Sequence, residues 1–178
     1  LSVEPPRIVK QNMGCPPIYF GGLSEAARDC AAASADVYLM WPDTTAKISS
    51  IVLDLTQRAQ RHQRPMNFGW RSHVIVRETE REAREAARRL LSRLDPVTGE
   101  AIRARSLDST STGVNRQSEL RSSSDDEGYI EQNLWTGVGR ARSGAGIAIV
   151  GDPDQVTAKL NELVDAGVSA FILSGYPH

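Results

Sequence analysis

Four short apolar runs set the fold class open to this chain of 178 residues: Ile18-Tyr19-Phe20, Val37-Tyr38-Leu39-Met40-Trp41, residues 68–76, and Ala170-Phe171-Ile172-Leu173. Each is rich in β-branched or aromatic side chains and bounded by Gly, Pro, Asp or Arg, which is the pattern of a buried strand. Helical periodicity fills the spaces between them. Over residues 24–33, Ser24 is placed to cap and Glu25 stands in the first turn, where a carboxylate suits the helix dipole. Ile48, Ile51, Val52, Leu55 and Ala59 share one face of a helix over residues 44–62. Ala83, Ala86, Ala87, Leu90, Leu91 and Leu94 do the same over residues 79–94. The Glu and Arg residues of that third helix lie three or four apart, which predicts a solvated, self-paired face rather than a nucleic-acid site. Asp152-Pro153 opens a last helix that runs through residue 164 and ends at Gly167.

Strand followed by helix, repeated, predicts consecutive βα units in a parallel sheet. The Gly-x-Gly-x-x-Gly turn of a dinucleotide fold is missing, and polar residues follow every strand at its carboxyl end. The expected fold class is therefore α/β, half of a (β/α)8 barrel with four visible strands. Residues 95–132 break the rhythm. They are dominated by Ser, Asp, Arg, Thr and Glu, and read either as a mobile lid or as a surface insertion with one or two short helices. The chain opens on Leu1 in a polar stretch and stops on Gly175-Tyr176-Pro177-His178 directly after a strand, which reads as a chain cut at both ends.

A formal net charge of -1 gives no electrostatic footprint for nucleic acid or anionic lipid and leaves a small molecule as the default partner. No run approaches the length of a membrane span and no leader pattern opens the chain, so the expected location is the cytoplasm. Cys15 and Cys30 fit neither a metal spacing nor a disulfide framework, and are read as buried or free thiols.

Four stretches carry chemistry. Gly21-Gly22-Leu23-Ser24 joins a strand to a helix N-terminus, where unpaired amides and the dipole make an anion site; a purely structural turn would look the same. In Trp70-Arg71-Ser72-His73, residues 71 and 73 share one strand face, so a cation and an imidazole point together. The stretch from Gly137 to Gly146, with Arg140 and Arg142, is glycine-rich and cationic, suited to close approach by a ligand and to pairing of an arginine fork with oxyanion oxygens; a loop that needs positive φ would look the same. Leu173-Ser174-Gly175-Tyr176-Pro177-His178 puts a phenol at the end of the last strand, where barrel enzymes keep their chemistry.

These motifs fall in one order, together with Asn133-Leu134-Trp135-Thr136-Gly137-Val138-Gly139 and Val150-Gly151-Asp152, and in that order the chain resembles the alkanesulfonate monooxygenases of the bacterial-luciferase-like class. The resemblance covers nearly the whole of residues 1–178 and implies the C-terminal half of a (β/α)8 barrel. It implies an enzyme that takes reduced FMN from a separate NAD(P)H-dependent FMN reductase and uses dioxygen to convert an alkanesulfonate to aldehyde and sulfite. By motif position, Arg71, His73, Arg142 and Tyr176 resemble the active-site polar residues of that family. Gly21, Gly22, Leu23 and Ser24 resemble its flavin phosphate turn, Trp41 would lie near the flavin, and residues 95–132 correspond to its mobile insertion.

Such chemistry must exclude water, which a closing lid would do. Trp70 and Ser72 stand where the sulfonate enzymes carry aliphatic residues, and Asp125-Asp126-Glu127-Gly128-Tyr129 looks more like the dimethyl sulfone monooxygenase branch. That branch, and a non-catalytic truncated barrel that self-associates, are the alternatives. A homo-oligomer is expected, and half a barrel alone should be inactive.

Overall fold

A computed structural model describes residues 16–104, 111–141 and 144–175. Strand β1 (Tyr19–Phe20) leads through the Gly21-Gly22 turn into α1 (Glu25–Ser34), whose N-cap Ser24 accepts from the Ala27 amide at 3.2 Å. β2 (Val37–Met40) is followed by α2 (Thr45–Arg61), capped in the same manner by Thr44. β3 (Asn67–Val76) precedes α3 (Glu80–Leu91), where Thr79 and Glu82 close a capping box. α4 (Pro96–Ala104) and α5 (Thr112–Ser122) come next, then the short strands β4 (Tyr129–Glu131) and β5 (Leu134–Trp135) and a 3-10 turn over Gly137–Arg140. β6 (Ala148–Gly151), α6 (Pro153–Asp165) and β7 (Ala170–Gly175) complete the order.

β3 organises the sheet because it is ten residues long and serves two sets of partners. Residues 67–70 pair in parallel with β2, residues 73–76 with β6, and residues 69–74 with β7. β7 overlaps both of the other registers, and one edge holds one strand at a time, so β2 and β6 lie in succession along the edge opposite β7. Strands β1, β2, β3 and β7 are thus consecutive parallel neighbours, the arrangement of four barrel strands. The far half of β3 carries an extension in which β6, β5 and β4 follow one another, the last two antiparallel.

The period of two assigns the two faces. Tyr38, Phe68, Met40 and Trp70 turn toward α1, α2 and α6 and form the main core with Ile48, Leu55 and Leu163. Ile48, Leu55, Trp70 and Leu163 are wholly buried, and each contributes roughly 1.5–3 kcal/mol of transfer free energy. Trp70, which replaces an expected aliphatic residue, meets Phe171 edge to face at 6.2 Å. On the opposite face Ile75, Ala148 and Val150 pack under Ala83, Ala86 and Ala87 of α3. The outer side of α3 is charged and self-paired as its spacing predicts, with Arg84 on Glu80 at 2.8 Å.

The chain has more strands than the four its sequence announces. β4 and β5 are too short to show alternation, and all four residues of β6 are buried, so no polar face marks it. Within the polar segment two helices form, and α5 buries only Gln117 and Leu120, which is why no apolar stripe is visible. Cys30 is a free, exposed thiol, and Cys15 lies outside the described residues.

Candidate active site

A cavity of about 360 Å³ opens at the carboxyl ends of β1 and β2. Its walls are the Gly21-Gly22-Leu23-Ser24 turn, the end of β2 with Trp41, and Ser111-Thr112-Gly113 at the start of α5. All five residues expected at a cofactor therefore line one space, joined by three from the polar insertion. Gly22 is required there: a Cβ would stand 2.8 Å from the Ala27 Cβ, so any larger residue pushes the turn off α1. The Tyr38 hydroxyl donates to the Gly22 carbonyl at 2.5 Å and fixes the turn from beneath, and burial pushes that phenol up to about 12.

Two helix N-termini converge on this cavity. The first-turn amides of α1 and α5 have no partners within their helices, and Ser24 and Ser111 each satisfy only one, through Ala27 and Val114. Both dipoles direct positive ends at the same space, which suits an anion. Glu25 in the first turn of α1 does not cancel this field, because Arg28 and Arg58 hold its carboxylate.

The place of α5 is set by buried polar contacts. Arg116 grips Asp43 through two bonds, Nε to Oδ2 at 2.7 Å and Nη2 to Oδ1 at 2.8 Å, and this pairing raises the Arg116 pKa. Gln117 donates to the Pro42 carbonyl at 2.7 Å, and its own oxygen accepts from the Gly146 amide at 3.2 Å. Gly113 lies against Trp41, so close that a Cβ would come within 3.1 Å of the indole.

Arg71 and His73 occupy the inner face of β3, level with Ile172 and Ser174 of β7. His73 is 3% exposed, and its Nε2 lies 3.2 Å from the Ala145 carbonyl, which only accepts, so Nε2 carries the proton. Arg71 is half-buried and makes no hydrogen bond or ion pair with any described residue. Neither side chain lines the cavity of Trp41. Arg142 and Tyr176 lie outside the described residues.

In the glycine-rich turn, Gly139 and Gly146 serve packing of one backbone segment on another. The Gly139 amide donates to the Gly146 carbonyl at 2.9 Å, and a Cβ on Gly146 would stand 2.6 Å from the Gly139 Cα. These two glycines let chain pack on chain. A second cavity, of about 310 Å³, lies between α3 and the β4–β5 hairpin. Its cations are largely spent on its own anion, with Arg84 and Arg88 both on Glu127.

Asp43, Ser111, Thr112, Gly113, Arg116 and Gln117 were not legible as site residues. The one local signal is Ser111 as an N-cap ahead of Thr112-Gly113, which marks a helix start but not its destination.

Residues 2–170 match the family described as luciferase-like monooxygenase. Over all 178 residues the chain is 57% identical to the sulfoquinovose monooxygenase of Novosphingobium aromaticivorans, of which it covers 49%. It is 49% identical to the sulfoquinovose monooxygenase of Agrobacterium fabrum, of which it covers 46%. The chain thus spans about half the length of the curated relatives it matches. Among solved structures, DmoA from Hyphomicrobium sulfonivorans superposes with a TM-score of 0.64 over 91% of this chain and 38% of its own, at 20% identity. The long-chain alkane monooxygenase LadA gives 0.62 over 90% of this chain and 37% of its own, at 21% identity. At such identities the likeness is one of fold.

Proposed function

The chain belongs to the luciferase-like monooxygenase family, and from that premise we propose that the intact protein is a reduced-FMN- and dioxygen-dependent sulfoquinovose monooxygenase. Its reaction would release sulfite from a hexose that carries a sulfonate on its terminal carbon and leave an aldehyde there. One observation carries the reading: identity of 57% to a protein of that name over all 178 residues of the chain. It supports reading the expected alkanesulfonate as a sulfonated sugar, in preference to dimethyl sulfone.

The first cavity suits FMN. The free amides of α1 and the Ser24 hydroxyl would hold its phosphate beside Gly21, Gly22 and Leu23, and Trp41 would face its ring. Bound there, reduced FMN supplies the electrons that activate dioxygen. The remaining work belongs to side chains. Arg71 and Arg142 would pair with the sulfonate and with the sulfite that departs. With Nε2 committed to the Ala145 carbonyl, His73 would exchange a proton at Nδ1, and Tyr176 would donate a hydrogen bond to a substrate oxygen. The segment over residues 95–132, through α5, would keep water from the reacting carbon.

The same proposal includes an NAD(P)H-dependent FMN reductase as the source of reduced cofactor, a homo-oligomer, and a cytoplasmic setting. Among the described residues no helix is long and apolar enough to cross a membrane. The chain alone would be inactive. β1 and β7 each keep one unpaired edge among the described residues, and Tyr19 and Ile172 on the inner face are 53% and 43% exposed.

The test is sulfite release by the intact protein with a flavin reductase, NADH and air. Sulfoquinovose is expected to exceed octanesulfonate in kcat/KM by at least about tenfold, a difference of ~1.4 kcal/mol in transition-state binding, with dimethyl sulfone unreacted. An absence of sulfite from sulfoquinovose refutes the proposal.

A further inference from the structure

Trp41 follows β2 and His73 lies on the neighbouring strand β3, and the proposed chemistry needs both side chains at one substrate. Trp41 belongs to the turn after β2, and His73 is held by the turn before β6, through Ala145. The parallel ladder aligns β2 with β3 but ends at Met40, and the residues after it and the turn before β6 both lie beyond the strands. One side chain touches both. Gln117, only 6% exposed, donates to the carbonyl of Pro42, next to Trp41, and accepts from the amide of Gly146, next to Ala145.

We propose that Gln117 is a positioning residue, a buried amide strut of α5 that sets the Trp41 turn and the Ala145-Gly146 turn, which contacts His73, relative to each other. This rests on the flavin monooxygenase reading for its consequence in catalysis, but not for its mechanics.

The chemistry of the strut is selective. A carboxamide presents a donor and an acceptor on one planar group, and these two turns offer it one carbonyl and one amide. Glutamate keeps the length and can accept from Gly146, but sets a carboxylate against the Pro42 carbonyl. Asparagine is one methylene short of spanning the gap, and methionine fills the volume with neither bond. Both backbone groups are buried, so a lost bond leaves an unsatisfied polar group rather than one that water repairs. Arg116, the preceding residue, anchors the same helix on Asp43, so α5 cannot retreat from the turn when the amide is lost. Its loss would therefore appear as looseness in the turns and not as release of the helix.

The intact protein carrying Gln117→Met is compared with Gln117→Glu and wild type by hydrogen exchange over residues 41–46 and 144–148. Gln117→Met should speed exchange in both segments by about tenfold, the equivalent of one lost hydrogen bond each. Gln117→Glu should speed the first and spare the Gly146 amide. In sulfite release, Gln117→Met should lower kcat at least about tenfold while KM and the affinity for reduced FMN stay within about threefold, because alignment is lost and binding is not. Loosening of only one segment, or of neither, overturns the strut, as does a fall in flavin affinity that accounts for the whole loss of rate. If both segments loosen but the wild-type protein takes up no reduced FMN, the strut stands and the functional reading falls.

Discussion

Replacing Arg116 with methionine isolates the contact that holds the polar insertion to the site. The Asp43 side chain is 4% exposed and the Arg116 side chain 31%, so the change leaves a buried carboxylate without its bidentate partner. Removing one member of a fully buried pair costs about 3–5 kcal/mol. Two features lower that figure here. A third of the guanidinium side already stands in water, which screens the pair. Asp43 also keeps the Thr44 amide at 2.8 Å and lies beside the N-terminus of α2, where a negative charge is favoured by about 0.3–1 kcal/mol. The expected loss is about 2 kcal/mol, measured by equilibrium unfolding of the intact protein in guanidinium chloride. Glu119→Gln supplies the contrast. Its carboxylate meets the same arginine at 3.2 Å but is 66% exposed, so its loss should cost less than about 0.5 kcal/mol. Adding Asp43→Asn to Arg116→Met should recover at least about 1 kcal/mol, because the buried charge is gone. If Arg116→Met stays within about 0.5 kcal/mol of wild type, the pair does not anchor α5 and the reasoning fails.

Gly22→Val drives a side chain into the Ala27 Cβ and displaces the turn, so affinity for reduced FMN in anaerobic titration should fall at least about tenfold; an unchanged affinity removes this turn from the cofactor site. Arg71 has no partner among the described residues, so Arg71→Ala should shift stability by less than about 0.5 kcal/mol yet cut kcat/KM for a sulfonate at least about tenfold. A stability loss larger than the kinetic one would make Arg71 structural. Burial holds the Tyr38 and Tyr129 phenols up near about 12, against 10.0 for an exposed phenol. Between those values the unfolded chain has lost protons that the fold retains, so stability is full below pH 10 and declines as pH rises toward about 12. Denaturant midpoints measured across that window should fall, and less steeply in Tyr38→Phe; a flat profile contradicts the burial of these hydroxyls.

The sequence made the barrel strands legible because each is an apolar run set off by helices with explicit caps, even where, as in β1 and β7, the run is left partly exposed. Ser24, Thr44, Thr79 and Asp152 all cap where their types and positions predict. Arg71 and His73 share a face for the same elementary reason, the period of two. Proximity in three dimensions was another matter. Trp41 and Gly22 belong to one cavity because β1 and β2 pair in parallel with their carboxyl ends together, a fact of topology that no local pattern states. β6 escaped notice since a strand buried on both faces has no alternation to display.

The polar insertion is the instructive case. Its residues lack the apolar stripe that makes a helix stable by packing, and on composition the segment reads as a lid or loop. α5 nevertheless forms against the site, and the groups that hold it are Arg116 on Asp43, Gln117 on Pro42 and Gly146, and Gly113 on Trp41. Further along, Glu131 accepts from the Thr45 amide at 3.1 Å and meets the buried Lys159 at 3.6 Å, tying the end of the segment to α2 and α6. Most of these partners lie on or beside β2, α2 and α6, which the apolar pattern places without help, and Gly146 is the exception. The insertion is therefore seated by directional bonds to the turns and helices around the barrel strands, with Leu120 as the buried apolar anchor of α5 in the main core. Such bonds are individually modest, and several act together to seat one helix.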